Sequence, residues 1–326
     1  MTLIADLIEL GGAGLVVTDL DAPGAREVVQ GPGAIRLGFS RGSGADCDPD
    51  AFDILLCADP AAPAPWVSLT ADGLQPAIER LQSQVARNPV AATVASQVLR
   101  MTLALEFDAA LALESLAYSA LLGSREFFAW REANPARERE EADEPRVVLD
   151  LAEAAITVVL NRPWARNAVD AKMRDELVAA LEFAIGHPDQ PPVVLCGRGP
   201  AFCAGGDRDE FGRASDPGLA HLIRTLRSPA RLAHALGERL TVRAHGACIG
   251  AGIEVAAAAA DVTAQPDAVF RLPEVAMGLI PGAGGTASIP RRIGRHRACY
   301  MALSGVDIDA DTALAWGLVD AVELQS

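Results

Sequence analysis

Three short segments between Gly197 and Gly285 decide the fold: Gly197-Arg198-Gly199-Pro200-Ala201-Phe202-Cys203-Ala204-Gly205-Gly206-Asp207, then His245-Gly246-Ala247-Cys248-Ile249-Gly250-Ala251-Gly252-Ile253-Glu254, then Pro273-Glu274 with Gly278-Leu279-Ile280-Pro281-Gly282-Ala283-Gly284-Gly285. Each of the first two follows a strand-like run (Pro192–Cys196, Leu240–Ala244) and stops where a helix should begin, so each offers backbone N–H groups at the mouth of a turn. Two such donors converging on one point make an oxyanion hole. The small residues Ala204, Gly205, Gly250, Ala251 and Gly252 let a ligand approach the main chain. The apolar helix expected over Ile253–Ala260 directs its positive end at the same place. One Gly-rich turn of this kind could simply join a strand to a helix; the pair is harder to read that way.

Together the segments resemble the enoyl-CoA hydratase/isomerase (crotonase) superfamily. AFCAGGD is similar to its first oxyanion motif, GACIGAGIE to its second, and PEVAMGLIPGAGGT to its third signature. The likeness extends from about Val147 to about Val322, including Leu160-Asn161-Arg162-Pro163 and Leu314–Ala321. The resemblance implies that the backbone N–H groups of Ala204 and Ala251 hold a thioester oxygen, with Ala251 standing where hydratases usually have Gly. It places Glu254 and Glu274 at the positions of the two catalytic glutamates. It also implies substrate contacts from Ala165, Arg166, Gly205, Gly206, Asp207 and Gly282, with Ala165 and Arg166 at the adenine end of coenzyme A. No metal is expected, and no cofactor beyond the coenzyme A of the substrate.

Adding water across an α,β-unsaturated thioester needs a base for the water and an acid for the α-carbon, and two carboxyl groups can share those roles. Taken by itself, Glu254 could be a solvated helix residue, but Ile253 and Val255–Ala260 leave little polar face to hold it. Glu274 without the resemblance reads as an exposed loop acid after Pro273. The expected function is therefore reversible hydration of a 2-enoyl-CoA. The alternatives are isomerisation, thioester hydrolysis, cofactor-independent oxidation of an arylacetyl-CoA, or a non-catalytic acyl-CoA-binding subunit.

Composition sets the outer bounds. A 326-residue chain that is 50% apolar and 22% charged has ample core for one large domain or two modest ones. Its net charge of −15 argues against a nucleic-acid partner. Lys172 is the only lysine, so contacts to coenzyme A phosphates must come from arginine or backbone, although each such arginine could equally serve in a surface ion pair. The six cysteines show no C-x-x-C pair and read as small buried hydrophobes in a reducing compartment. Asp6, Glu9 and Asp19 without any early Lys or Arg make a poor signal peptide, and Glu114, His245 and Glu254 interrupt every long apolar run. A cytoplasmic protein without membrane contact is expected, and the resemblance implies a homotrimer or a dimer of trimers.

The expected architecture is α/β: a crotonase-like stacked βα spiral over residues 147–326, preceded by a smaller α/β-to-helical domain over residues 1–133 and a charged linker at 134–146. Strand-length runs at Gly14–Val17, Ile35–Phe39 and Phe52–Cys57 precede helical patterns at Leu74–Arg87, Pro89–Met101 and Asp108–Leu122. On the last of these, Leu111, Glu114, Ser115 and Tyr118 share a face, an acid and a phenol one turn apart on an apolar helix. A solvated or core-satisfied pair is the simpler reading. Asn134–Arg146, bracketed by Pro135 and Pro145, has nothing to bury. Val147–Leu149 and Ile156–Leu160 form either a hairpin or two sequential strands. Members of the superfamily usually continue for several tens of residues past the position of Val322. The helices between Leu74 and Phe128 are expected to supply that missing cover, as a lid over the acyl pocket carrying Glu114 and Tyr118.

Overall fold

The computed structural model describes residues 14–22, 33–137, 143–152 and 154–323. Part of the charged stretch and the acidic residues of the first 13 positions lie outside these. Four short strands open the chain: β1 (Gly14–Asp19), β2 (Ala34–Ser40), β3 (Ile54–Cys57) and β4 (Val67–Ser68), pairing in chain order as one parallel sheet. All four residues of β3 are buried, the continuous apolar pattern of a strand covered on both faces. The third strand starts two residues later than the apolar run, because Pro49–Ala51 forms a 3-10 turn and Phe52 closes it.

Four helices follow: α1 (Ala71–Arg87), α2 (Pro89–Thr102), α3 (Phe107–Leu122) and α4 (Arg125–Ala133). Their ends are chemically marked. Thr70 accepts from Gly73 N, Pro89 opens α2 and Ser124 accepts from Phe127 N. Glu126 on α4 accepts from Val90 N (2.7 Å) and Ala91 N (2.9 Å), so an acid of one helix caps the start of another.

The second half opens with the antiparallel hairpin β5 (Val147–Ala152) and β6 (Ala155–Leu160). Then come α5 (Ala171–Gly186), β7 (Val193–Gly197), α6 (Pro217–Leu226), α7 (Pro229–Leu236), β8 (Leu240–Ala244), β9 (Ala247–Ile249), α8 (Ala251–Ala256), β10 (Asp261–Ala264), β11 (Val269–Arg271), α9 (Gly285–Ser304), β12 (Ile308–Asp309), α10 (Ala310–Trp316) and β13 (Ala321–Val322). One sheet runs β13-β10-β8-β7-β6-β5 and a smaller one β12-β11-β9. The strand pairs β8/β9 and β10/β11 each give one strand to each sheet before a helix or helical turn follows, which is the repeating step of the expected spiral. Every second residue of β6 and β8 is buried, so each strand turns one face to the core.

The charged stretch ends differently from expectation. Arg146 is fully buried, its Nε 3.0 Å from Asp170 Oδ2, and Glu176 Oε2 accepts from the backbone N–H groups of Arg146 and Val147. A buried guanidinium is tolerated there because an equally buried carboxylate answers it. The main apolar core draws on residues from Ile35 to Val319, a second small cluster forms around Phe52, Leu55 and Trp66, and α3 packs against α6 and α9. Four of the six cysteines are buried, and all six are free.

Candidate active site

The turn after β9 is built so that a helix starts abruptly. Gly250, with φ 49° and ψ −122°, ends the strand, and Ala251 is the first residue of α8. A side chain at Gly250 would meet Glu274 Oε1, so that position tolerates only glycine. The first intrahelical bond is Glu254 N to Gly250 O (2.9 Å), and the N–H of Ala251 at the head of the helix has no intrahelical partner.

One turn on, Glu254 is 2% exposed. Its Oε2 accepts from Ala283 N (2.7 Å) and Gly285 N (2.9 Å), donors of the loop that opens α9. Glu274 sits at the start of a 3-10 turn (Glu274–Met277), is 7% exposed, and has no hydrogen-bond partner at Oε2. Both acids line a cavity of about 500 Å³, together with Gly206, Asp207, Ala251 and Gly282.

A third carboxyl group stands beside them. Glu114 reaches in from α3, and its Oε1 accepts from Gly284 N (2.7 Å). Its Oε2 accepts from Thr286 N and Thr286 Oγ1, both at 2.7 Å. Consecutive residues of one loop therefore alternate in what they hold: Ala283 and Gly285 bond Glu254, while Gly284 and Thr286 bond Glu114. Leu111, Ser115, Tyr118 and Leu122 of the same helix also line the cavity, and the Tyr118 ring fills the space a side chain at Gly282 would need, 2.5 Å from its Cβ. The acid and phenol first read as a bland helix pair are part of the cavity wall.

Burial dominates the acid–base chemistry. Desolvation, then repulsion from Glu254, push Glu114 up to about 8 against the pull of the Thr286 and Gly284 donors. Desolvation pushes Glu254 up to about 7, opposed by the N–H groups of Ala283, Gly285 and Gly282. Glu274 is raised well above the ordinary carboxyl range by desolvation and then by Glu254. Desolvation likewise lifts the Tyr118 phenol. Burial and mutual repulsion thus raise all three acids above the ordinary carboxyl range, while the donors of the 283–286 loop favour the ionised forms of Glu254 and Glu114.

The expected site residues divide into two groups. Glu254, Glu274, Ala251, Gly206, Asp207 and Gly282 meet at the cavity; Ala204, Gly205, Ala165 and Arg166 are not in its wall. Ala204 needs correcting as an oxyanion donor: its N–H is bonded to Arg166 O at 2.9 Å. That carbonyl is presented by left-handed backbone at Arg166 (φ 51°, ψ 40°), so the N–H of Ala204 closes a turn instead of facing a ligand. Two residues on, Val169 N donates to Gly205 O and Asp207 N to Val169 O, both at 2.8 Å, and neither bond uses the N–H of Gly206. Gly206 and Ala251 thus each bring to the cavity wall a main-chain N–H without a protein partner. Asp207 is buried and held by Arg162 Nη1 at 2.7 Å, which anchors the turn. The Arg166 side chain is exposed. Among the described residues no group of three His, Cys, Asp or Glu side chains is arranged to hold a metal ion, and no helix is long and apolar enough to cross a membrane.

The βα spiral thus brings two main-chain N–H groups without protein partners and two buried glutamates to one cavity. The enoyl-CoA hydratase/isomerase family model matches residues 151–325, and the chain belongs to that family. It is 34% identical over 175 residues to a mevalonyl-coenzyme A hydratase of Beauveria bassiana and 37% identical over 171 residues to a probable enoyl-CoA hydratase of Rhodobacter capsulatus. These matches cover 51% and 52% of this chain and 62% and 65% of those relatives, so the chain spans less than two thirds of their length. The crystal structure of an enoyl-CoA hydratase from Thermoplasma volcanium superposes with a TM-score of 0.50 at 32% identity, covering 55% of this chain and 72% of that one. Residues 1–150, including Glu114 and Tyr118, lie outside the family match.

Proposed function

We propose that the protein catalyses reversible addition of water to a 2-enoyl-CoA. The observation that carries this reading is the pairing of two buried carboxyl groups in different hydrogen-bonding states within one cavity. Glu254 Oε2 takes two N–H donors, an arrangement suited to a carboxylate, while Glu274 Oε2 takes none. Glu254 is assigned to activate water and Glu274, kept neutral by burial and by its neighbour, to deliver the proton to the α-carbon.

The N–H groups of Gly206 and Ala251 are assigned to the thioester oxygen, where negative charge grows as the enolate forms. Such donors act strongly only away from water. Helix α3 supports this by walling the cavity with Leu111, Tyr118 and Leu122, in the manner expected of a lid. In this reading no cofactor takes part beyond the substrate's own coenzyme A, whose adenine end is assigned to Ala165 and Arg166, outside the cavity. Assembly as a trimer or dimer of trimers in the cytoplasm belongs to the same proposal. The exposed Leu219, Leu222 and Leu226 of α6 offer a face for subunit contact, and sedimentation would give the mass.

The test is loss of the conjugated thioester's absorbance on mixing protein with short, long and aromatic 2-enoyl-CoA substrates. Turnover that falls at least a hundredfold in both Glu254→Gln and Glu274→Gln supports the assignment. Full activity in either variant, or no change across the whole panel with the native protein, removes it.

A further inference from the structure

Of the four arginines that line the cavity, none used by the hydration chemistry, Arg224 is set apart by its partners. Arg224 lies on α6, partly buried in the cavity wall, with its guanidinium carbon 5.0 Å from the centroid of the Tyr118 ring. Its Nε donates to Ser115 Oγ (3.1 Å), and its Nη2 to Ser115 O (3.4 Å) and to Ser119 Oγ. Nη1 carries no bond to protein, and no carboxylate pairs with this guanidinium among the described residues.

The other arginines around the cavity are placed differently. Arg174 and Arg227 pair with Asp175 at 3.0 and 3.6 Å, and Arg213 is exposed. Two arginines buried elsewhere are answered by carboxylates, Arg162 by Asp207 and Arg146 by Asp170, whereas buried Arg297 is held by Trp66 O and the Trp316 ring. Withdrawing a cation from water without an anion is unfavourable. Glu114, the nearest acid on α3, does not fill that role, because its two oxygens are taken by Gly284 and Thr286. His221, on the same helix as Arg224, is turned to Ser115 Oγ at 3.0 Å. Neither Glu254 nor Glu274 pairs with Arg224; the Tyr118 ring beneath the guanidinium abuts Gly282, next to Ala283, whose N–H bonds Glu254.

We propose that Arg224 reads the far end of the acyl chain, and that the preferred substrate is a short 2-enoyl-CoA whose acyl chain ends in a carboxylate. The proposal rests on the hydration reading for the enoyl part and on Arg224 alone for the end group. A short acyl chain is proposed because one ring, Tyr118, meets both the Arg224 guanidinium and Gly282, whose N–H bonds Glu254. The terminal carboxylate accepts a charge-assisted bond from Nη1, while Ser115 and Ser119 hold the other two nitrogens in place. A chain ending in a methyl group would leave the cation as it stands now, without an anion.

Saturated thioesters test the end group without turnover. Calorimetric titration would compare the coenzyme A monothioester of a four- to six-carbon dicarboxylic acid with the neutral acyl-CoA of equal carbon number. Native protein is expected to bind the dicarboxylic form about tenfold or more tightly, the scale of one charge-assisted contact. Arg224→Gln is expected to reduce that preference to about threefold or less, chiefly by weakening the dicarboxylic ligand, and Arg224→Lys to retain part of it. Equal affinity for both ligands in native protein overturns the proposal. So does an equal loss for both ligands in Arg224→Gln, which would make Arg224 only a clamp between α3 and α6. Persistence of the binding preference with no hydration of either enoyl-CoA would remove the hydration reading and keep Arg224's role. Hydration of both without preference would do the reverse.

Discussion

Replacing Glu114 by Gln probes how a helix outside the family match is tied to the catalytic glutamates. The native carboxylate accepts three bonds of 2.7 Å, one on Oε1 and two on Oε2. An amide has one oxygen. In its better orientation that oxygen takes the Oε2 place and keeps both Thr286 donors, which sets the amide NH2 against the N–H of Gly284. One charge-assisted bond is lost, a buried donor is stranded, and the two remaining bonds weaken to neutral ones. At about 1.5–3 kcal/mol for a bond to a charged group and a similar cost for a stranded donor, partly offset by relief of repulsion with Glu254, the expected loss is about 2–4 kcal/mol. For a chain of this size that is a fall in Tm of roughly 3–6 °C. Glu114→Leu, which strands all three donors, should cost more. Because the same loop presents Ala283 and Gly285 to Glu254, kcat should fall about tenfold in Glu114→Gln. Thermal unfolding of Glu114→Gln, Thr286→Val and the double variant completes a cycle, for which a coupling of about 1–3 kcal/mol is expected. Additive effects in that cycle, with Tm and kcat of Glu114→Gln near native values, would refute the clamp.

Three further outcomes follow from the same geometry. Gly250→Ala puts a methyl group at φ 49° and against Glu274, so kcat should drop at least about a hundredfold while the far-UV circular dichroism is retained; near-native turnover would contradict the packing. An amide-to-ester exchange that removes only the N–H of residue 206 should lower kcat by about 10²–10³, whereas the same exchange at 204 costs a turn bond and far less rate; the reverse ranking would restore Ala204 as the donor. The buried acids have folded-state pKa values above their ordinary ones, so their contribution to stability is complete below about pH 4.5 and is lost as pH rises through about 7 to 8. Tm should therefore decline from about pH 5 to about pH 8.5, and less steeply in Glu254→Gln; parallel declines would place the titration elsewhere.

The parts of this site that could be read in the sequence are those the chain keeps local. Glu254 and Ala251 share one turn of helix with the glycine that opens it, and Glu274 opens the next signature, so a motif carries both position and neighbours. The spacing of Leu111, Glu114, Ser115 and Tyr118 marked a face but not what it faces, since an acid on an apolar helix is satisfied equally well by solvent or by a distant loop. Its partners, Gly284 and Thr286, lie 170 and 172 residues away. Ala204 failed for a finer reason: which N–H of a glycine-rich turn is free depends on the carbonyl of Arg166, set by left-handed backbone that nothing in the sequence of that turn announces. Arg224 left no signal beyond being one cation in the run Leu219–Leu226, and the buried end of the charged stretch is equally invisible until Asp170 is placed beside Arg146.

Transfer of heavy oxygen from solvent tests the central claim most directly. A 2-enoyl-CoA ending in a carboxylate is incubated with the protein in heavy-oxygen water, and the product is fragmented in a mass spectrometer. Hydration through Glu254 and Glu274 predicts one heavy oxygen, in a hydroxyl group of an acyl chain still joined to coenzyme A, and none in the Glu254→Gln variant. Label in the carboxyl group of a released acid, or a product that carries no label at all, would contradict it.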